Sequence, residues 1–323
     1  MDPLADLLAG PRARGAFVLR CELTAPWSLR VHDGAPLTVV AVVSGSAWVV
    51  PEGAAAQVIG PGDVAVLRGP EPYVVADGPA TPVQALIGPG QRCTTVEGVR
   101  VPLGWRGTRV WGNSGGDSGG GGAGGTRVLT GTYARHGALG RRLLQALAPL
   151  TVVRGGGATG AVPAVSALLA REVAHAAAGQ EAVLDRLLDL LLVAALRTWF
   201  DSGDGAAPGW YTAAADPVVG PALHLLQERP QRAWTVEALA QEVASSRATL
   251  ARRFTRLVGE PPMAYLTTWR LDLAADLLLE PGATLGAVAR RVGYGSPYAL
   301  SAAFSRRFGV SPSEHRAARG HQP

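Results

Sequence analysis

Between residue 16 and about residue 100 the chain alternates apolar and polar positions in short runs. FVLRCEL, LTVVAVVSG, SAWVVP, AAQVIG, GDVAVLRG, YVVAD and VQALIG are each bounded by Gly, Pro, Asp or Glu. Valine-rich runs at this spacing predict the strands of a sandwich or small barrel. A glycine-rich insertion follows over 113–125, NSGGDSGGGGAGG, with too little apolar content to pack; it predicts a flexible loop. TRVLTGTY, from Thr126, resumes the strand pattern. From Leu139 the period changes to that of helices. Leu143, Leu144 and Leu147, then Val165, Leu168 and Leu169, suit short amphipathic helices. Leu184, Leu187, Leu188, Leu191 and Leu192 form a stripe on a longer helix ending near Phe200, either an internal core or a dimer seam. DSGDGAAPG opens a linker over 201–215, and beyond Asp216, an N-cap candidate ahead of Pro217, the pattern is helical to about residue 318.

The helical tail contains an internal repeat with a step of about fifty residues. LAQEVASSRATLARRFTRLVGEPP, from Leu239, matches VARRVGYGSPYALSAAFSRRFGVSP, from Val288, with one extra residue in the second turn. Leu250 aligns with Leu300, Phe254 with Phe304, Gly259 with Gly309 and Pro262 with Pro312. Each copy predicts a short helix, a tight turn and a second helix. Thr235 and Thr284 are N-cap candidates for the first helices, Ser246 and Ser296 for the second. Leu239, Ala240 and Val243, like Val288, Ala289 and Val292, should face inward. Ala244 and Gly293 supply a small residue at the turn, and Gly259 and Gly309 end the second helices as C′ glycines. Met263 to Leu279 reads as one long helix between the copies. The whole chain is therefore expected to be multidomain: an all-β barrel plus helices over 1–200 with dimerisation helices at its end, the linker 201–215, and an all-α domain with two helix-turn-helix units over 216–319.

That arrangement leaves one face of each second helix free to enter a major groove. In the first copy the free face contains Arg247, Ala248, Ala251, Arg252 and Thr255; in the second, Pro297, Tyr298, Ser301 and Ala302. Arg252 is the best base reader, because its guanidinium can pair in bidentate fashion with guanine. Tyr298 and Ser301 suit thymine methyl groups or phosphates. Arg253, Arg256, Arg306 and Arg307 suit phosphates, which position without specifying. Charge agrees with a polyanionic partner. The net charge is +5 and the basic residues are all arginines, unevenly spread. From Ser245 to Arg319 arginines outnumber Glu260, Asp272, Asp276, Glu280 and Glu314 about two to one. The most apolar segment, Val183 to Phe200, is broken by Asp185, Arg186, Asp189 and Arg197, so it reads as a buried helix and not a membrane span. MDPLADLLAG has no basic n-region and predicts no signal peptide. A cytoplasmic, nucleoid-associated protein is the expectation.

The last hundred residues resemble the AraC/XylS family of transcription regulators. VARRVGYGSPYALSAAFSRRFGVSPSEHR is similar to that family's second-repeat signature, and WRLDLAADLL to its linker helix. The resemblance implies two helix-turn-helix units reading successive major grooves, double-stranded DNA and RNA polymerase as partners, and a homodimer. It also implies contact positions at Ala248, Ala251 and Arg252 in the first unit and at Pro297, Tyr298, Ser301 and Ala302 in the second. Several of these are small, which leaves more to DNA shape and phosphate contacts.

The strand-rich half resembles cupin-type sensor domains, with GPGDVAVLRGPEPYVV, from Gly60, in the place of the barrel's second motif. Pro72 and Tyr73 stand where a metal-binding cupin has histidine, and His32 is isolated, so no metal, no cofactor and no oxygenase chemistry are expected. The competing reading is a cupin-like enzyme with a helical appendage. Cys21 shares strand parity with Phe17, Leu19 and Leu23 and should point inward. Cys21 and Cys93 resemble in position the paired cysteines of the family's reactive-chlorine-sensing branch, which implies a redox switch, and Arg92 beside Cys93 would favour its thiolate. Alternatively, Trp27, Trp48 and Tyr73, with Val40 and Val42, line a pocket for a small-molecule effector.

Overall fold

The valine-rich runs form two facing sheets. The computed structural model describes residues 17–96, 104–107, 109–113, 125–133, 144, 147–155, 160–202 and 209–320. In the first sheet the strand order is β10 (Gly104–Gly107), β11 (Val110–Gly112), β1 (Phe17–Leu23), β12 (Thr126–Tyr133), β3 (Leu37–Ser44), β6 (Val64–Arg68) and β13 (Leu150–Val153). In the second it is β5 (Gln57–Ile59), β4 (Ala47–Pro51), β7 (Tyr73–Ala76), β2 (Ser28–Val31), β8 (Ala85–Gly88) and β9 (Arg92–Thr95). Most neighbours are antiparallel; β1 with β11 and β2 with β8 are parallel. Every run expected as a strand is one. The short strands β2, β9, β10, β11 and β13 come in addition.

Strand parity sorts the side chains of the first sheet. Leu19, Cys21 and Leu23 of β1, with Val40 and Val42 of β3 and Val128 of β12, join the core between the sheets. Val18, Val39, Ala41, Leu129 and Tyr133 are buried too. They have the opposite parity, and the helices α1 (Ala161–Ala174) and α2 (Gln180–Ser202) cover them. This two-sided cover explains why β3 is a nearly unbroken apolar run. The close fit has a residue-level cause at Gly131, where a Cβ would collide with Leu188 of α2. Leu184, Leu188, Leu191 and Leu192 are all buried, so most of the expected stripe is internal core; Leu187 is half-buried beside the exposed Val183 and Leu190. Leu143 and most of the glycine-rich insertion lie outside the described residues.

GPGDV at Gly60 forms a pinned turn. Asp63 accepts N–H bonds from Gly60 and Gly155, each at 3.0 Å, and pairs with Arg154 at 2.8 Å. Burial pushes its carboxyl up, but the two N–H donors and Arg154 outweigh burial and hold it below the usual aspartate range. The turn between β5 and β6 is thereby tied to the end of β13.

The second compact unit is helical: α3 (Gly209–Ala214), α4 (Val219–Glu228), α5 (Val236–Glu242), α6 (Arg247–Val258), α7 (Pro262–Leu277), α8 (Leu285–Arg291), α9 (Pro297–Phe308) and α10 (Pro312–Gly320). The helix α3 corrects the expectation of a linker over 201–215. Ala213 is fully buried in the core of the first helix pair, and Gly209 approaches the Leu257 carbonyl so closely that no Cβ fits. A glycine- and alanine-rich sequence can thus be a docked helix when small size is what the packing needs.

Candidate functional site

The two repeat copies fold alike because their local signals agree. Thr235 and Thr284 accept N–H bonds from Ala238 and Ala287, and Ser246 and Ser296 from Thr249 and Ala299. Gly259 and Gly309 are left-handed, at φ 88° and 74°. The turns hold a residue at positive φ in both copies, Ala244 at 50° and Gly293 at 81°. Gly293 therefore serves backbone conformation as well as close approach, whereas Ala244 adopts the left-handed region with its Cβ in place. Leu250 and Phe254 anchor α6 in one core, Leu300 and Phe304 anchor α9 in another.

Burying those side chains turns a fixed set outward. On α6, Arg247, Ala248, Arg252, Thr255 and Arg256 are exposed and Ala251 is half-buried. On α9, Pro297, Tyr298, Ala302 and Arg306 are exposed and Ser301 is half-buried. Tyr298 is 85% exposed. Arg247 pairs with Glu237 at 2.8 Å. Arg252, Arg256 and Arg306 have no ion pair among the described residues.

Two arginines expected at phosphates are otherwise engaged. Arg253 pairs with Asp216 at 2.6 Å. Asp216 also takes the N–H groups of Val218 and Val219 at 2.9 Å, as an N-terminal cap of α4. Burial pushes the Asp216 carboxyl up, but these donors and Arg253 prevail and hold it low. Arg307 reaches Asp272 of α7 at 2.8 Å, and Asp272 is 1% exposed. Both arginines brace the fold.

The strand-rich unit has its own candidate site, a cavity of about 60 Å³ between the sheets. Cys21, Trp27, Val40, Tyr73 and Cys93 line it, as do Asp33, Gln91 and Trp111, which the sequence reading missed. Asp33 accepts a 2.7 Å bond from the Gln91 amide. Trp48 is a correction: β4 alternates, with Ala47, Val49 and Pro51 buried, so Trp48 stands half-buried on the other face. Val42 belongs to the core without lining the cavity. Burial raises both thiols. Cys21 is pushed up to about 12 by burial and then by the proximity of Cys93. Cys93 is raised by burial as well, opposite to the lowering expected from its neighbour Arg92. Both cysteines are free thiols. No cluster of three or more His, Cys, Asp or Glu that could hold a metal occurs among the described residues. Nor is any described helix long and apolar enough to cross a membrane.

A cupin family model matches residues 2–201, and a helix-turn-helix domain model matches residues 239–318. The chain belongs to the AraC family of transcription regulators with an N-terminal cupin domain. This AraC-family chain is 44% identical over 146 residues to an AraC-like protein of Streptomyces lividans, covering 45% of the chain and 48% of that protein. It is 31% identical over 148 residues to the RCS-specific HTH-type transcriptional activator RclR of Escherichia coli, covering 46% and 52%. The DNA-binding domain of AdpA, a global transcriptional factor solved in complex with a target DNA, aligns at 36% identity and a TM-score of 0.31. That alignment covers 34% of this chain and 98% of that one. The chain spans about half the length of the curated relatives it matches. The matched relatives are named as regulators of transcription and not as enzymes.

Proposed function

We propose that this chain is a sequence-specific DNA-binding regulator of transcription that reads two major-groove segments about 34 Å apart with α6 and α9. The carrying observation is the pair of capped, core-anchored helices whose outward faces leave Arg252, Arg256 and Arg306 exposed and without an ion pair among the described residues. Arg252 reads a base; Arg256 and Arg306 hold phosphates; Tyr298 and Ser301 meet thymine methyl groups or the backbone. The chain acts as a homodimer beside RNA polymerase. Arg252→Ala is expected to weaken binding at a specific site by about 1–3 kcal/mol in a gel-shift titration. Equal losses on specific and scrambled duplex would make Arg252 a phosphate contact instead.

The signal on this reading is oxidation of Cys21 and Cys93. Both face one small apolar cavity, from opposite sheets. That cavity is far below the roughly 300 Å³ of an ordinary small-molecule site, which favours oxidation over a bound effector. Burial pushes both thiols up, which disfavours the thiolate and slows oxidants that need it. Hypochlorous acid is small and electrophilic. It chlorinates one thiol with loss of water; the second sulfur then displaces chloride, releases its proton and forms the disulfide. Mass spectrometry after hypochlorite treatment is expected to find a Cys21–Cys93 bond together with altered promoter affinity. Absence of that bond with unchanged promoter binding discards the switch.

A further inference from the structure

The outer face of the first sheet has a feature that DNA binding and thiol oxidation leave unused. Strand parity puts Arg20 of β1 and Arg127 of β12 on the side away from the cavity, next to Val43 of β3. The C-terminal end of α1 lies there and brings Arg171 and His175, with Ala170 and Ala174 leaving space between helix and sheet. These side chains line a pocket of about 210 Å³, with no carboxylate in its lining among the described residues.

Arg20 is the unusual member. Its side chain is only 22% exposed, and its Nη2 pairs with Glu22 at 3.0 Å. Its Nε is fully buried and lacks a hydrogen-bond acceptor among the described residues. A buried guanidinium donor left unused is a cost that folding normally avoids. Arg127 spends one donor on Ser44 Oγ at 3.0 Å and stays exposed. Arg171 is exposed, with no ion pair among the described residues. His175 Nδ1 donates to the Arg171 carbonyl at 3.0 Å, which fixes its ring at the rim. Glu22 compensates one of three guanidinium charges. An oxyanion in the pocket would relieve the remaining repulsion and take forked N–H donors, the arrangement guanidinium groups offer phosphates and carboxylates.

We propose that this pocket binds a small organic anion, gripped through a phosphate or carboxylate group by Arg20, Arg127 and Arg171. The occupant ties the sheet to α1, so it acts on the cupin domain from the side opposite the cysteines.

Calorimetric titration of the full chain without DNA, at constant ionic strength, tests this with inorganic phosphate and with acetate as probes. Saturable binding of at least one probe is expected, and the preferred probe identifies the head group. Arg127→Gln and Arg171→Gln, both at exposed positions, should each weaken it about tenfold while circular dichroism stays unchanged. Arg256→Gln on α6, at the position proposed to hold a DNA phosphate, should leave it unchanged, which separates this pocket from phosphate resting on the recognition helix. The proposal is overturned if neither probe saturates, or if the Arg127 and Arg171 variants bind as tightly as the wild type.

Discussion

Phe304→Ala is expected to cost about 3–5 kcal/mol and to loosen the second helix pair while the first stays folded. Phe304 is fully buried among Leu300, Val288 and Val292, with Phe308 at 4.4 Å and the His315 ring at 5.3 Å between centroids. Truncation removes the aromatic contacts and leaves a void that α8 and α9 cannot close without moving. Its counterpart Phe254 sits in a different cluster, with Leu239, Trp234 and Tyr265. Hydrogen exchange should therefore lose protection over 285–308 and keep it over 236–258. Uniform loss across both segments would mean that the two pairs share one cooperative core.

Arg307→Ala is expected to destabilise the same unit by about 2–4 kcal/mol, because it removes a guanidinium from a carboxylate with almost no access to water. The pair holds α9 against α7. Adding Asp272→Ala to that variant should recover part of the loss, a coupling of about 1–3 kcal/mol in a double-mutant cycle. Strict additivity would assign the effect to lost packing. The salt dependence of DNA binding gives an independent check. A phosphate contact lowers the slope by about one when removed, whereas a brace leaves it unchanged.

The contrast between Arg307 and Arg252 shows what the sequence could and could not disclose. Both look like solvent-facing arginines on a basic helix. The partners that divert Arg253 and Arg307 lie 37 and 35 residues away, beyond any local pattern. The helix pairs were legible because their signals are local: a hydroxyl three residues before the amide it caps, a glycine at the end, and a leucine four residues ahead of a phenylalanine. The capping box at Ser311 and Glu314 was equally local, with reciprocal bonds of 3.2 and 2.7 Å, and went unread. Among the strands, a surrounding apolar run decided the matter more than length: the three-residue β5 has one and β11 does not. The eight-residue β3 and β12 announce themselves; the three residues of β11 do not, so Trp111 was missed in the cavity wall. Trp48, expected in the lining of an effector pocket, stands on the opposite face because Ala47, Val49 and Pro51 take the inward parity of β4.

One helix, α7, serves both cores. Tyr265, Leu266 and Trp269 belong to the first, and Leu271, Ala274, Ala275 and Leu277 to the second. The two helix pairs are thus docked on one continuous helix, so the angle between them follows that helix's own geometry. A single residue inserted between Trp269 and Leu271 would swing the later unit through about 100° and displace it by about 1.5 Å. On the proposed DNA-binding reading, a change in the spacing of the two groove segments could then be followed only in discrete angular steps of α7, or by rebuilding the surfaces of α6 and α9.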